Sequence, residues 1–199
     1  MSDEPALLVA IRAHPDEDTP RLIYADWLDE NGRPDRAEFI RIQCAPDADE
    51  VARDRAAELQ ERNYGKWLAG LPRFSDTRWD FHRGFPEHLD VPGELMLERY
   101  EAFVRVPWLR FLVLHEMDNS AVRDFLNRSW NPRWVELELL EGFSEDPDAD
   151  ATPAVLAVSR CPQVRQLRRL RLALSPFGAA GWRALDPLLK EFGDRLVIG

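Results

Sequence analysis

Three stretches decide the fold: Leu109-Arg110-Phe111-Leu112-Val113-Leu114, Trp134-Val135-Glu136-Leu137-Glu138-Leu139 and Leu167-Arg168-Arg169-Leu170-Arg171-Leu172. Each has an apolar residue, then a pair of apolar residues that begins three positions later and flanks one further residue. Leu89-Asp90-Val91 upstream and Leu196-Val197-Ile198 downstream share the paired part. Alternate residues of a strand point to one face, so each pair faces a core and the residue between faces out. Successive pairs are 23, 25, 33 and 26 residues apart. The long step contains an acidic insertion, Ser144-Glu145-Asp146-Pro147-Asp148-Ala149-Asp150, and without about eight residues there it too would be 25.

A period of about 20–29 residues with this pattern is the leucine-rich-repeat signature. One strand cannot bury its own apolar side, so neighbours must stack. Helices expected over 95–104, 121–127, 153–159 and 179–191 would return the chain to the start of each next strand. The expectation for residues 71–199 is a short, degenerate leucine-rich-repeat-like solenoid of about five strands. Its sheet is parallel, with helices on one face.

Residues 1–70 read differently. They hold 9 basic and 16 acidic residues and only 6 leucines, against 20 leucines in the remainder. The spacing predicts helices over 4–13, 20–30, from 34 to about 44, and 50–64. Asp18 or Thr19 is expected to cap the second helix, with Pro20 in its first turn. Asn31-Gly32 ends it, and Gly65 is expected to end the fourth. The whole reads as α/β: a helical module over 1–70, then the repeats.

Composition limits the function. With 45% hydrophobic residues over 199 positions, the chain can build a substantial core. No apolar run approaches the ~18 residues that span a bilayer, and the acidic start Met1-Ser2-Asp3-Glu4 is unlike a secretory leader. The expected location is the cytoplasm, with no membrane partner. Cys44 and Cys161 match no ligand spacing and are expected as reduced thiols. A net charge of −10 argues against nucleic-acid binding. Of the 26 basic residues 24 are Arg, which we assign to genomic base composition.

No P-loop, HExxH, GxSxG or paired CxxC is present, so no enzyme, cofactor or metal is expected. The alternative weighed is a metal-dependent enzyme or metal site at the acidic loop His14 to Asp18 with Asp26. Carboxylates entering a helix more often cap it, and Arg21, Arg36 and Arg41 are available to pair with Asp26.

The segment Pro5 to Gln43 carries Asp16, Asp18, Pro20, Arg21, Leu22, Tyr24, Ala25, Asp26, Trp27, Leu28, Glu30, Gly32, Arg36, Glu38, Phe39, Ile40 and Gln43. In these residues it resembles the repeat-companion domain of certain bacterial paralogous families. The run Arg21 to Leu28 is the most specific part, and Arg83-Gly84-Phe85-Pro86-Glu87 resembles the stretch by which such proteins enter their repeats. The resemblance implies a helical module ahead of leucine-rich-type repeats and no established activity.

The repeat places two rows of residues on the concave face of the sheet. One is His88, Phe111, Glu136, Arg169 and Arg195. The other is Asp90, Val113, Glu138, Arg171 and Val197. Glu136 would lie beside Arg169 and Glu138 beside Arg171, as opposite-charge neighbours, with Phe111 as an apolar anchor. These residues are the candidate protein-binding face of a non-catalytic interaction module. The uncapped edge at Leu196 to Gly199 is a candidate surface for homo-oligomers. Trp79, Trp108, Trp130, Trp134 and Trp182 are expected in packing roles, an exposed one being an interface candidate.

Overall fold

The computed structural model describes residues 3–141, 150–174 and 177–199. The chain packs as two compact units, residues 1–71 with 80–87, and residues 72–79 with 88–199. The acidic insertion lies outside the described residues, except for Asp150.

Among the described residues the first unit contains four helices: α1 (Glu4–Ala13), α2 (Thr19–Glu30), α3 (Pro34–Cys44) and α4 (Glu50–Trp67). Apolar residues at helical spacing face inward, and Ile11, Ala25, Leu28, Ala37, Phe39, Ile40 and Leu59 are buried. Gly32, at φ 71°, follows α2 as expected for a helix stop. Helix α4 does not stop at Gly65. Its next turn is held by packing, because Trp67 reaches the Phe39 ring at 4.8 Å and the Phe81 ring at 5.9 Å. That tertiary contact overrides the local preference of glycine.

Asp18 does not cap α2. No side-chain capping bond is made there, because the Asp18 carboxylate is taken by Arg83. Asp49 and Asp118 do cap, accepting from Ala52 N at 2.8 Å and Ala121 N at 2.7 Å.

The sheet has six strands in chain order: β1 (Arg78–His82), β2 (Phe85–Pro92), β3 (Phe111–His115), β4 (Glu136–Leu140), β5 (Arg169–Ala173) and β6 (Leu196–Ile198). From β2 to β6 every pairing is parallel. Five strands were expected, and β1 is the addition. It runs into β2 through Arg83-Gly84, both at positive φ (49° and 85°), which is the geometry of a tight two-residue hairpin.

Helices α5 (Gly93–Glu98), α6 (Tyr100–Val104), α7 (Asn119–Leu126), α8 (Thr152–Arg160) and α9 (Ala179–Phe192) alternate with the strands. The single helix expected over 95–104 is two, separated at Arg99. Helix α5 packs on α7, α7 on α8 and α8 on α9. The core of the second unit combines one face of the sheet, including Leu89, Leu112, Leu114, Leu137, Leu139, Leu170 and Leu172, with helix residues such as Phe103, Phe125, Val155 and Leu188.

Aromatic rings fill one part of that core. Trp134 stacks on Phe125 at 5.9 Å, and Trp130 lies 5.3 Å from the same ring. The Tyr100 hydroxyl donates to Ser129 O at 2.6 Å, and burial pushes its pKa up to about 12. Trp79 is also buried, whereas Trp182 is half exposed beside Phe177. Among the described residues no helix is long and apolar enough to cross a membrane.

Gly84 tests the hairpin. A Cβ there would overlap the Ile40 side chain and lie 3.1 Å from Ile40 Cα, on backbone that already requires positive φ. Gly84→Ala is expected to lower unfolding free energy by roughly 2 kcal/mol or more. Urea titration of both proteins measures it.

Candidate functional site

Three sets of residues stand out, two in the second unit and one in the first. In the second unit, the strand register brings together the side chains singled out from the sequence. His88 pairs with Phe111, Phe111 with Glu136, and Glu136 with Arg169. One layer along, Asp90, Val113, Glu138, Arg171 and Val197 pair in turn. Residues alternating with the buried leucines are half-buried on β3 and β4, and Arg169 and Arg171 on β5 are exposed. This outward face therefore has accessible side chains in two parallel rows.

Its chemistry changes from strand to strand. The His88 and Phe111 rings lie 6.4 Å apart, and the Arg110 guanidinium lies 5.3 Å from the Phe111 ring. Arg171 Nη1 donates to Glu138 Oε2 at 3.3 Å. Glu136 and Arg169 are neighbours in register, as expected, yet no ion pair within 4.0 Å joins them among the described residues. One pair is thus closed and the other open, and an exposed pair of this kind contributes at most about 1 kcal/mol.

Arg195 is not part of the row. It lies in the 3-10 turn before β6. Its guanidinium turns back to the end of α9, donating to Phe192 O at 3.1 Å and Glu191 O at 2.8 Å. Free carbonyls at a helix C-terminus draw a cation in this way.

Sequence reading missed an acidic cleft at the C-terminal ends of β2 and β3. It has a volume of about 360 Å³ and is lined by Asp76, Pro92, Glu94, Leu95, Glu98, His115 and Glu116. Beside it, His115 Nε2 lies 3.5 Å from Asp90 Oδ1, an oxygen that is buried without a hydrogen bond. The strand ends Pro92 and His115 could have located it, but Asp76 comes from a separate part of the chain.

In the first unit a polar lock closes the hairpin onto the helices. Arg21 is fully buried and pairs with buried Glu87 at 2.7 Å. Arg21 also donates to Pro15 O at 2.7 Å and Arg83 O at 3.3 Å. The other oxygen of Glu87 lies 3.2 Å from His82 Nδ1. Arg83 Nε donates to Asp18 Oδ1 at 2.7 Å, and Gly84 N donates to Gln43 Oε1 at 2.7 Å. The Arg21 guanidinium lies 5.1 Å from the Phe85 ring. Three residues of the Arg83 to Glu87 stretch therefore meet polar partners from the helical segment.

Cys44 adjoins the lock, and burial, with the Asp18 carboxylate beside it, pushes its thiol up to about 11. Both cysteines are free.

The His14 to Asp18 loop is divided among separate partners. His14 Nδ1 lies 3.0 Å from Glu17, while Asp18 goes to Arg83. Asp26 pairs with Arg41 at 2.7 Å, and neither Arg21 nor Arg36 is its partner. Among the described residues no three His, Cys, Asp or Glu side chains gather as metal ligands.

Comparison of the chain with protein-family models, with curated proteins and with solved structures finds no match.

Two predictions follow from the lock. Glu87→Ala strands a buried guanidinium and is expected to cost about 3–5 kcal/mol, whereas Arg21→Met with Glu87→Leu should cost less, its remaining loss coming from the Arg83 and Pro15 carbonyls that lose the Arg21 donor. Chemical denaturation of the two variants gives both numbers. Burial works against ionised Asp18, and the Arg83 contact outweighs it, so the carboxyl is held below its ordinary 3.8. Its contribution is therefore present above that value and lost as pH falls through the lower folded value. Asp18→Asn should flatten the acid limb of a stability–pH curve, modestly because the group is half exposed.

Proposed function

We propose that the chain is a non-catalytic protein-interaction module that binds a partner protein through the outward face of β2 to β5. In this reading residues 71–199 are a short leucine-rich-repeat-like solenoid whose strands present a concave surface. Residues 1–70 are its repeat-companion module. The location proposed is the cytoplasm, which suits two free thiols.

One observation carries the reading. The register sets His88, Phe111, Glu136 and Arg169 in one line and Asp90, Val113, Glu138 and Arg171 in another. A rigid backbone thus displays an aromatic ring, a carboxylate strand and a guanidinium strand side by side. The contact between Arg171 and Glu138 pre-orders those two side chains, which then lose less freedom on binding. The opposite charges select a partner with the reverse order, cations toward β4 and carboxylates toward β5. Phe111 is an aromatic residue, a type enriched at protein interfaces.

The test is affinity capture with wild type and with Phe111→Ala/Arg169→Glu/Arg171→Glu, both first shown to melt cooperatively. The partner held by wild type should bind the variant at least about tenfold more weakly, given typical losses of ~2 kcal/mol at interface centres. Equal affinity for both proteins would remove the sheet face from the reading.

A further inference from the structure

Among the described residues, Arg36 is a guanidinium without an anion. It lies 4.4 Å from the Trp67 ring, 5.0 Å from Phe81, 5.6 Å from Phe39 and 5.7 Å from Phe85. Its Nη1 is buried with no hydrogen-bond partner, while the residue as a whole keeps intermediate exposure. The rings offset part of the lost hydration, but burial still pushes its pKa down to about 9.

Scarcity of acids does not explain this, since residues 1–70 hold 16 acidic against 9 basic side chains. Nearby arginines are matched: Arg21 with Glu87, Arg41 with Asp26 and Asp29, Arg55 with Glu38, and Arg83 with Asp18.

The position is also electrostatically adverse. Arg33 immediately precedes α3 and Arg36 lies in its first turn, so two cations sit at the positive end of a helix dipole. Asp35, the one acid of that turn, is directed to Asn63 at 3.2 Å and Arg62 at 3.9 Å.

A carboxylate is already held next to this pair. Glu4 Oε1 accepts from Arg33 Nη1 at 2.8 Å and from the Tyr24 hydroxyl at 2.8 Å. It makes no hydrogen bond to Arg36, so two guanidiniums share one internal carboxylate, and it satisfies only the first.

We propose that Arg36, with Arg33 and the Tyr24 hydroxyl beside it, forms an oxyanion site at the start of α3 that takes a carboxylate or phosphate group. The Arg36 guanidinium is the anchor, and the aromatic rings around it hold its plane in place. Glu4 occupies the Arg33 side and competes with the ligand. A purely structural Arg36 would need no anion, and an unbranched apolar chain would fill the same space.

The test is thermal denaturation near neutral pH in sodium phosphate, sodium glutarate and sodium chloride at matched ionic strength, with wild type, Arg36→Met and Glu4→Gln. Phosphate or glutarate should raise the wild-type midpoint by a few degrees in a saturable way that chloride does not reproduce. The anion that saturates at lower concentration identifies the source of the oxyanion. Arg36→Met should fold and lose the response. Glu4→Gln should saturate at an anion concentration several-fold lower than wild type. No saturable response in wild type, or an equal one in Arg36→Met, would overturn the site. Should Arg36→Met lack a cooperative transition, Glu4→Gln decides, and unchanged half-saturation would count against the proposal.

Discussion

The first unit depends on one buried ion pair. Arg21 and Glu87 are almost wholly removed from water, so each needs the other to offset the hydration it has lost. Their pairing fixes where the hairpin meets the helices, and the surrounding bonds follow from that position. Arg83 tolerates a positive φ because its carbonyl accepts from Arg21 and its side chain is held by Asp18 and Pro15 O. Strained backbone persists only where its surroundings over-determine it. The adjoining Gly84 is required by its close approach to Ile40.

In the second unit the constraint is register. A strand shifted by one residue would turn its leucines to water and its charges to the core. Leu112, Leu114, Leu137, Leu139, Leu170 and Leu172 are all buried, so a single alignment is tolerable. The display of His88, Phe111, Glu136 and Arg169 in one line is thus a by-product of burying the residues between them. Any chemistry of that face is inherited from the core.

Much of this was legible in the residues. The paired apolar residues, recurring along the chain, predict both the strands and their neighbours, because apolar alternation and register are one physical fact. What was not legible depends on contacts distant in sequence. Arg78-Trp79-Asp80-Phe81-His82 is a short strand with an Arg-Gly turn in place of the more usual Asn-Gly. Helix α4 passes Gly65 because Trp67 finds Phe39, 28 positions away. Arg195 fits the repeat spacing, but the free carbonyls of α9 compete for it more strongly. The Arg21–Glu87 pair spans 66 positions with no periodicity to announce it. The notable residues of both stretches could be named, but not their pairing.

Strand order equals chain order throughout the sheet. Each parallel strand therefore docks on the one synthesised immediately before it, and none must wait for a later segment to be inserted between existing neighbours. During translation the growing edge can bury its leucines one step at a time, limiting how much apolar surface stays exposed on the ribosome. The same ordering lets a connection lengthen without rethreading the chain. The interval from β4 to β5 is longer than the others, yet the pairing of Leu137 with Leu170 is kept. Sheets in which late strands enter the middle have no such latitude.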